Sequence, residues 1–299
     1  MKFKNSGFSL LETMLACAIG LILTASIYQV YLIIKKNYFI ETNLSELQEN
    51  MRYASNILTR NIRAAGFSGC RKIDDLIAEK HFTEHNSNFN FSLENSIRGF
   101  NSKNAPAYLS GKISENTDCI VIQKSDADIT NLITNIKPPA TTFYVYQNPA
   151  TQDNKMLFLT DCDYADLFQA KNAGGSIISL DKGKIEHDYN LLDSKLGRFT
   201  EIAYFISNTS RKDSFGAPIY ALFETINRGN REELVSGINN MQIRYGINHS
   251  DEKVSFYSAT EIDQLKLWSQ VKCVQIDLDF VYQNHQTKKI SFDIALRER

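Results

Sequence analysis

One carboxylate near the start of a long apolar run constrains this chain more than any other feature. Lys2 and Lys4 precede Gly7-Phe8-Ser9-Leu10-Leu11-Glu12, apolar residues dominate from there to Ile34, and Lys35-Lys36 close the run. As a helix, Phe8 to Ile34 extends about 40 Å, more than the ~30 Å hydrocarbon core of a bilayer. A charged side chain in such a segment costs roughly 2.5–3.5 kcal/mol on insertion scales. Intramembrane carboxylates are functional candidates for that reason, so Glu12 needs a purpose.

Ordinary export signals do not supply one. Ala16-Cys17-Ala18 imitates a signal-peptidase site, and Met14-Leu15-Ala16-Cys17 imitates a lipoprotein site. Both place Glu12 inside a short apolar core, where its charge opposes insertion. A plain single-span anchor leaves Glu12 unexplained. Lysines flank both ends of the run, so counting charges does not set its orientation.

Helical patterning continues past Lys36. Leu44, Leu47, Met51, Ala54, Leu58, Ile62 and Ala65 recur every three or four residues, while Glu41, Glu46, Glu49, Arg52, Arg60 and Arg63 fall off that stripe. This is the pattern of an amphipathic helix. Neither Pro nor Gly interrupts 21–65, and Gly66 stands where a C-terminal cap belongs. The helix expected over Phe8–Ala65 is about 87 Å long. Its first half needs lipid or other helices around it, and its second half needs a sheet laid against one face.

The rest of the 299-residue chain reads as β-rich. With 18 Phe and 14 Tyr against one Trp, the composition suits well-filled sheet faces. A net charge of −1 gives no bias toward nucleic acid or cationic substrates. Residues 71–117, rich in Asn and Ser, read as a long surface connection with a short helix. Strands are expected at 119–123, 142–147, 155–160, 176–180, 201–207, 218–226 and 238–247. Pro138-Pro139, Gly174-Gly175 and Asn227-Arg228-Gly229 mark turns between them. The last two strands are the clearest. Val274, Ile276, Leu278, Phe280 and Tyr282 alternate with mostly polar residues, as do Ile290, Phe292, Ile294 and Leu296. Gln283–Lys288 suits a hairpin loop between them. One apolar face means an antiparallel sheet that covers something, most simply the Leu44–Ala65 stripe.

Five cysteines are present, Cys17 within the apolar run and Cys70, Cys119, Cys162 and Cys273 beyond it. No CxxC spacing occurs, which argues against zinc and thioredoxin-like chemistry. Four cysteines in an exported region suggest two disulfides, with three pairings open.

The leader Gly7-Phe8-Ser9-Leu10-Leu11-Glu12 resembles the type III signal of type IV prepilins. The resemblance implies a leader peptide over 1–7, cleavage after Gly7 by a prepilin peptidase, and N-methylation of the new terminus, Phe8. It also implies a long helix over 8–66, membrane-spanning at 8–34, and a β-rich periplasmic or extracellular domain over 67–299. The expected fold is therefore α+β and type IV pilin-like, a long N-terminal helix packed on antiparallel sheet. In that family the matching glutamate meets the N-terminal amine of a neighbouring subunit, which gives Glu12 its purpose. Two charges that are each costly in lipid offset one another when paired. One departure is Gln29, at a position where many major pilins carry proline.

Several later segments resemble PilW-type minor pilins. They include Gln48-Glu49-Asn50 with Arg52-Tyr53-Ala54, Arg63-Ala64-Ala65-Gly66-Phe67 with Gly69-Cys70, and Thr160-Asp161-Cys162 with Ala165-Asp166-Leu167-Phe168. Ile219-Tyr220, Glu233-Leu234-Val235 with Gly237, and Tyr245-Gly246 follow in family order, and Val271–Leu278 resembles the family's C-terminal strand. The resemblance implies a non-enzymatic subunit of type IV pili that helps prime assembly near the tip and supports motility, adhesion or DNA uptake. It is made as an inner-membrane prepilin with its soluble domain in the periplasm and then enters the cell-surface pilus. Implied partners are the prepilin peptidase, other minor pilins and the major pilin, the assembly platform, the membrane and a tip adhesin. No cofactor, metal or direct nucleic-acid site is expected. Cys70 and Cys162 lie in the resembling segments and pair first on that ground. This leaves Cys119 with Cys273, each opposite its strand's main apolar set.

Two other readings stay open. A type II secretion minor pseudopilin uses the same scaffold, although its large minor component usually lacks a glutamate at this position. His81-Phe82-Thr83-Glu84-His85 matches the H-x-x-E-H pattern of inverted zinc peptidases and would make the chain a membrane-anchored zinc hydrolase. Its Asn- and Ser-rich setting offers no third ligand. Asp161, Asp163, Asp166, Asp126 and Asp128 lack the glycine and terminal glutamate of a calcium loop and read as solvated turn acids.

Overall fold

The computed structural model describes residues 9–68, 73–78, 82–85, 89–92, 94–152, 155–213, 215–248, 253–282 and 286–297. Gly7, Phe8, Cys70 and His81 lie outside the described residues. The chain divides into two compact units, Met1–Glu49 and Asn50–Arg299. Helix α1, Leu10–Arg63, begins in the first and ends in the second. In the first unit its apolar side chains point outward on every side, as Leu10, Ile22, Tyr28 and Ile34 show. Helix α1 contains a stretch long and apolar enough to cross a membrane.

In the second unit Ala54, Leu58, Ile62 and Ala65 are buried, following the three- and four-residue spacing of the predicted stripe. The helix gives way to a turn at 64–66, where Gly66 takes the left-handed φ of 76° expected of a terminating glycine. The Gly66 N–H donates to the Gln123 carbonyl at 2.8 Å, and the Ser125 N–H donates to the Phe67 carbonyl at 2.9 Å. The end of α1 is thereby stitched to a strand of the sheet beneath it.

The elements that follow are α2 (Ile73–Ala78), β1 (Phe82–His85), β2 (Ile97–Asn101), β3 (Asp118–Asn131), β4 (Thr142–Tyr144), β5 (Met156–Thr160), β6 (Ala165–Gln169), β7 (Ile177–Ser179) and β8 (Lys195–Lys212). After them come β9 (Pro218–Ile226), β10 (Arg231–Ser236), β11 (Ile238–Asn248), β12 (Val254–Tyr257), α3 (Ala259–Leu265), β13 (Val271–Tyr282) and β14 (Gln286–Ala295). An eight-stranded sheet runs β1-β6-β5-β8-β3-β2, with β9 and β10 added beside the second half of β8. A four-stranded antiparallel sheet runs β12-β11-β13-β14, and β4 pairs with β7. The architecture is α+β, a long N-terminal apolar helix followed by sheets, consistent with a type IV pilin-like fold.

The eight-stranded sheet is apolar on both faces around β5. Leu157 and Leu159 join Leu132, Phe143, Val145 and Phe168 on one side. Phe158 joins Ile73, Phe91, Leu167 and Phe199 on the other. The 71–117 segment is thus not one long surface connection. Ile73, Leu76, Phe91 and Ile97 insert into the core, and β1 and β2 pair with β6 and β3. In the terminal hairpin β13 follows its prediction, with Val274, Ile276, Leu278 and Phe280 toward the interior, but β14 begins inside the expected 283–288 loop, where Gln286, Thr287 and Lys288 pair with Tyr282, Val281 and Phe280.

Candidate functional site

Glu12 is the only Asp, Glu, Lys or Arg between Leu10 and Ile34. It sits in the first turn of α1, where an acid faces the positive end of the helix macrodipole. Its backbone N–H reaches the Ser9 carbonyl at 3.0 Å and the Ser9 Oγ at 3.3 Å. The hydroxyls of the apolar segment are satisfied locally. Thr13 Oγ1 donates to the Leu10 carbonyl at 2.9 Å and Ser26 Oγ to the Ile22 carbonyl at 2.9 Å, and Thr24 bonds the Gly20 carbonyl. Such back-bonding lets Ser and Thr sit in lipid without an exposed donor. Glu12 has no equivalent: its side chain is exposed and makes no ion pair among the described residues. Cys17 is an exposed free thiol on the same segment.

Two models of known families match this chain. A model of the prokaryotic N-terminal methylation motif matches residues 2–28, and the type IV pilus-assembly protein W model matches residues 203–291. Together they match a PilW-type prepilin. The chain is accordingly a type IV pilus-associated, pilin-like protein, and its motif implies processing by a prepilin peptidase and assembly with other pilus components. A structural rather than enzymatic role is consistent with both matches. No curated protein and no solved structure matches the chain.

The prepilin's second unit holds two buried polar centres that its sequence does not announce. In the first, Asp166 is fully buried on the Leu157/Leu159 face of the sheet, opposite Leu159 in register. The Tyr189 hydroxyl donates to its Oδ2 at 2.5 Å, His85 Nε2 lies 2.6 Å from Oδ1, and His187 Nδ1 lies 3.5 Å from Oδ2. Tyr164 stacks on His187 at 4.3 Å. Asp166 is therefore no solvated turn acid; an apolar face obliges a carboxylate to find internal donors. Asp161 does behave as a turn acid, accepting from the Asp163 and Tyr164 N–H groups. The side chains of Asp126 and Asp128 lie outside those described. The H-x-x-E-H stretch is not the helix that the zinc reading needs: Phe82–His85 is a strand, and His85 Nε2 lies 2.6 Å from Asp166 Oδ1. No cluster of three or more His, Cys, Asp or Glu placed to hold a metal occurs among the described residues.

In the second centre, Glu201 is buried on β8. Arg228 Nε donates to its Oε1 at 2.8 Å and Gln123 Nε2 to its Oε2 at 2.8 Å. The guanidinium also lies over the rings of Phe89 and Tyr108, at 4.7 and 5.4 Å. Burial, then the neighbouring Glu201 charge, pushes the Tyr108 hydroxyl well above its ordinary value.

The cysteines depart from expectation. Cys119 and Cys273 are free thiols, so the expected bond between them is not formed. Cys119 points into a cluster with Leu109, Val121, Phe205 and Phe223, where burial, with Asp118 nearby, pushes its thiol up to about 12. Cys273 lies on the outward face of β13, beside Gly246 and Asp293. Strand parity placed each cysteine correctly relative to its own strand and said nothing of whether the two faces meet. Cys162 is disulfide-bonded, in a turn with a positive φ of 76°.

Proposed function

We propose that this chain is a minor pilin of a type IV pilus, made as a prepilin and used at a special position rather than in bulk. The peptidase cuts between Gly7 and Phe8, Phe8 is methylated, and residues 8–34 hold the subunit in the inner membrane with residues 67–299 in the periplasm. On assembly, Glu12 pairs with the positive N-terminal amine of a neighbouring subunit and sets entry and register. The observation that carries this reading is the isolation of Glu12. Every described Ser and Thr in the apolar segment from Leu10 to Ile34 has a local acceptor, whereas the one carboxylate has no ion pair among the described residues. A charge costly to leave in lipid favours any assembly that offers it a cation.

The subunit then helps prime assembly near the tip, with other minor pilins, the major pilin and the platform as partners. A Cys70–Cys162 bond completes the soluble domain, supported by the disulfide-bonded state of Cys162. Mass analysis of the mature N-terminus tests the processing, with a methylated Phe8 start expected; a start at Met1 or Cys17 refutes it. Presence of the protein in sheared surface pili separates this role from that of a secretion pseudopilin.

A further inference from the structure

Alongside the last turns of α1, the eight-stranded sheet is not fully covered. Strand parity shows why a particular set of side chains faces the gap. Lys124 is opposite Thr200, Ile202 is opposite Ile226, and Glu224 is opposite Glu232, so these residues share one face across β3, β8, β9 and β10. Arg198 lies on that face two residues before Thr200. With Ile57, Arg60 and Asn61 of α1 they line an open cleft of about 570 Å³, within the range of ligand-sized clefts.

Its floor is built rather than incidental. Asn61 and Thr200 are nine-tenths or more buried and still border the cleft. Asn61 is fixed from two sides, its Nδ2 donating to the Tyr204 hydroxyl at 2.6 Å and its Oδ1 accepting from Lys124 Nζ at 3.1 Å. Above this floor, the Arg60 and Arg198 guanidinium groups have no hydrogen bond or ion pair within the described residues. The carboxylates of the cleft are Glu224, which feels the Arg60 and Lys124 charges, and Glu232. Burial raises the Glu224 carboxyl above its ordinary value.

We propose that this cleft receives a carboxylate-bearing, extended segment of another polypeptide, with Arg60 and Arg198 gripping the acid and Ile57, Ile202 and Ile226 taking the apolar side chains beside it. Planar guanidinium groups suit carboxylates in two-point geometry. Glu224 and Glu232 on the same sheet face as Arg198 repel a continuous run of phosphates, so a segment that presents single acids to Arg60 and Arg198 with apolar side chains between them fits better than nucleic acid. Naming the donor as a neighbouring pilus subunit rests on the assembly role proposed above; the carboxylate chemistry does not.

The test uses full-length protein in lipid nanodiscs and fluorescence anisotropy with two probes of equal charge, a labelled peptide alternating Ile and Glu and a labelled oligothymidylate. The peptide binds, the Arg60→Gln/Arg198→Gln variant weakens it about tenfold or more, and Glu232→Gln tightens it by removing a competing charge. Unchanged peptide affinity in both variants overturns the proposal. So does loss of oligothymidylate binding alone, which marks a nucleic-acid site. Thermal melts check folding, and if the double variant does not fold, Glu232→Gln decides alone. The mature N-terminus is read on the same preparation. A start elsewhere than Phe8 with peptide binding intact removes the neighbouring subunit as donor and leaves the carboxylate site standing.

Discussion

Removing Arg228 should damage this protein far more than neutralising its partner Glu201, although the two form one ion pair. The Glu201 side chain is 5% exposed and that of Arg228 is 38% exposed. Arg228→Met therefore leaves a carboxylate buried against Gln123 and Tyr108 with no cation. Breaking a buried pair this way costs about 3–5 kcal/mol, and the Gln123 hydrogen bond that survives puts the expected loss near 3 kcal/mol. Glu201→Gln leaves a cation whose outer half reaches water, and it loses roughly one charge-assisted hydrogen bond, about 1.5 kcal/mol. The double variant should fall below the sum of the two, because the stranded carboxylate is gone.

Each kcal/mol shifts the midpoint of a domain this size by about 2–4 °C. Arg228→Met should then melt roughly 6–12 °C below the parent, and Glu201→Gln roughly 3–6 °C below. Calorimetry on the full chain in detergent reads both, with near-UV circular dichroism as the check on native packing. Equal losses in the two single variants, or additive losses in the double, would show that the cost does not come from an unpaired buried carboxylate and would sink the reasoning.

Further outcomes are expected. Glu12→Ala should insert into membranes at least as well as the parent yet fail to enter pili; normal incorporation, read by immunoblotting sheared pili, would refute its pairing role. Gly99→Ala builds a Cβ into the Tyr245 hydroxyl and should cost about 1–3 kcal/mol by overpacking. That hydroxyl is buried without a hydrogen-bond partner among the described residues, so Tyr245→Phe should raise the denaturation midpoint and relieve part of the Gly99→Ala defect. Cys119 should resist alkylation in the folded chain and react only after unfolding, as mass spectrometry of labelled peptides will read. Burial chiefly, then Glu232 against the Tyr204 hydrogen bond, raises the folded value of Glu224. Its stabilising contribution is complete below the ordinary carboxylate value of about 4.3 and is lost as pH rises through the folded value. Glu224→Gln should therefore match the parent in acid and become progressively more stable than it toward neutral pH; a constant gap between the two melting curves contradicts this.

Long, regular patterns were legible in the sequence and short, mixed ones were not. The helix from Leu10 to Arg63 and its stop at Gly66 follow from an uninterrupted stripe and one glycine. β13 and β14 follow from alternation at Val274–Phe280 and Ile290–Ala295. β1 and β2, four and five residues long, were hidden in an Asn-rich stretch because a strand that short is decided by its neighbours in the sheet. β6 was hidden by Asp166, which breaks an apolar run yet points into the core. Its partners His85 and Tyr189 stand 81 and 23 residues away, and no local pattern links them. Glu12 was visible from the start, because a membrane is a uniform solvent in which one misplaced charge needs no tertiary context to be noticed.

The match to the type IV pilus-assembly protein W model divides the second unit in two. The match at 203–291 takes in the second half of β8, then β9 to β13 and the first part of β14. It leaves out β3 to β7 and the start of β8, which close around an apolar cluster of their own from Leu132 to Leu196. Exposed Tyr144, Tyr146, Ile133 and Ile177 lie on the outer side of that part. β8 joins the two regions within one strand: residues 195–198 pair with β5 and residues 202–212 with β9. A continuous strand cannot bend freely at its middle, so the additional strands are held in fixed register to the matched ones. The cleft at Arg60 and Arg198 opens where these two regions meet on β8, with Arg198 before the matched stretch and Glu224 and Glu232 inside it. The portion outside the match therefore helps to shape a surface beside the helix end that the matched portion alone does not complete.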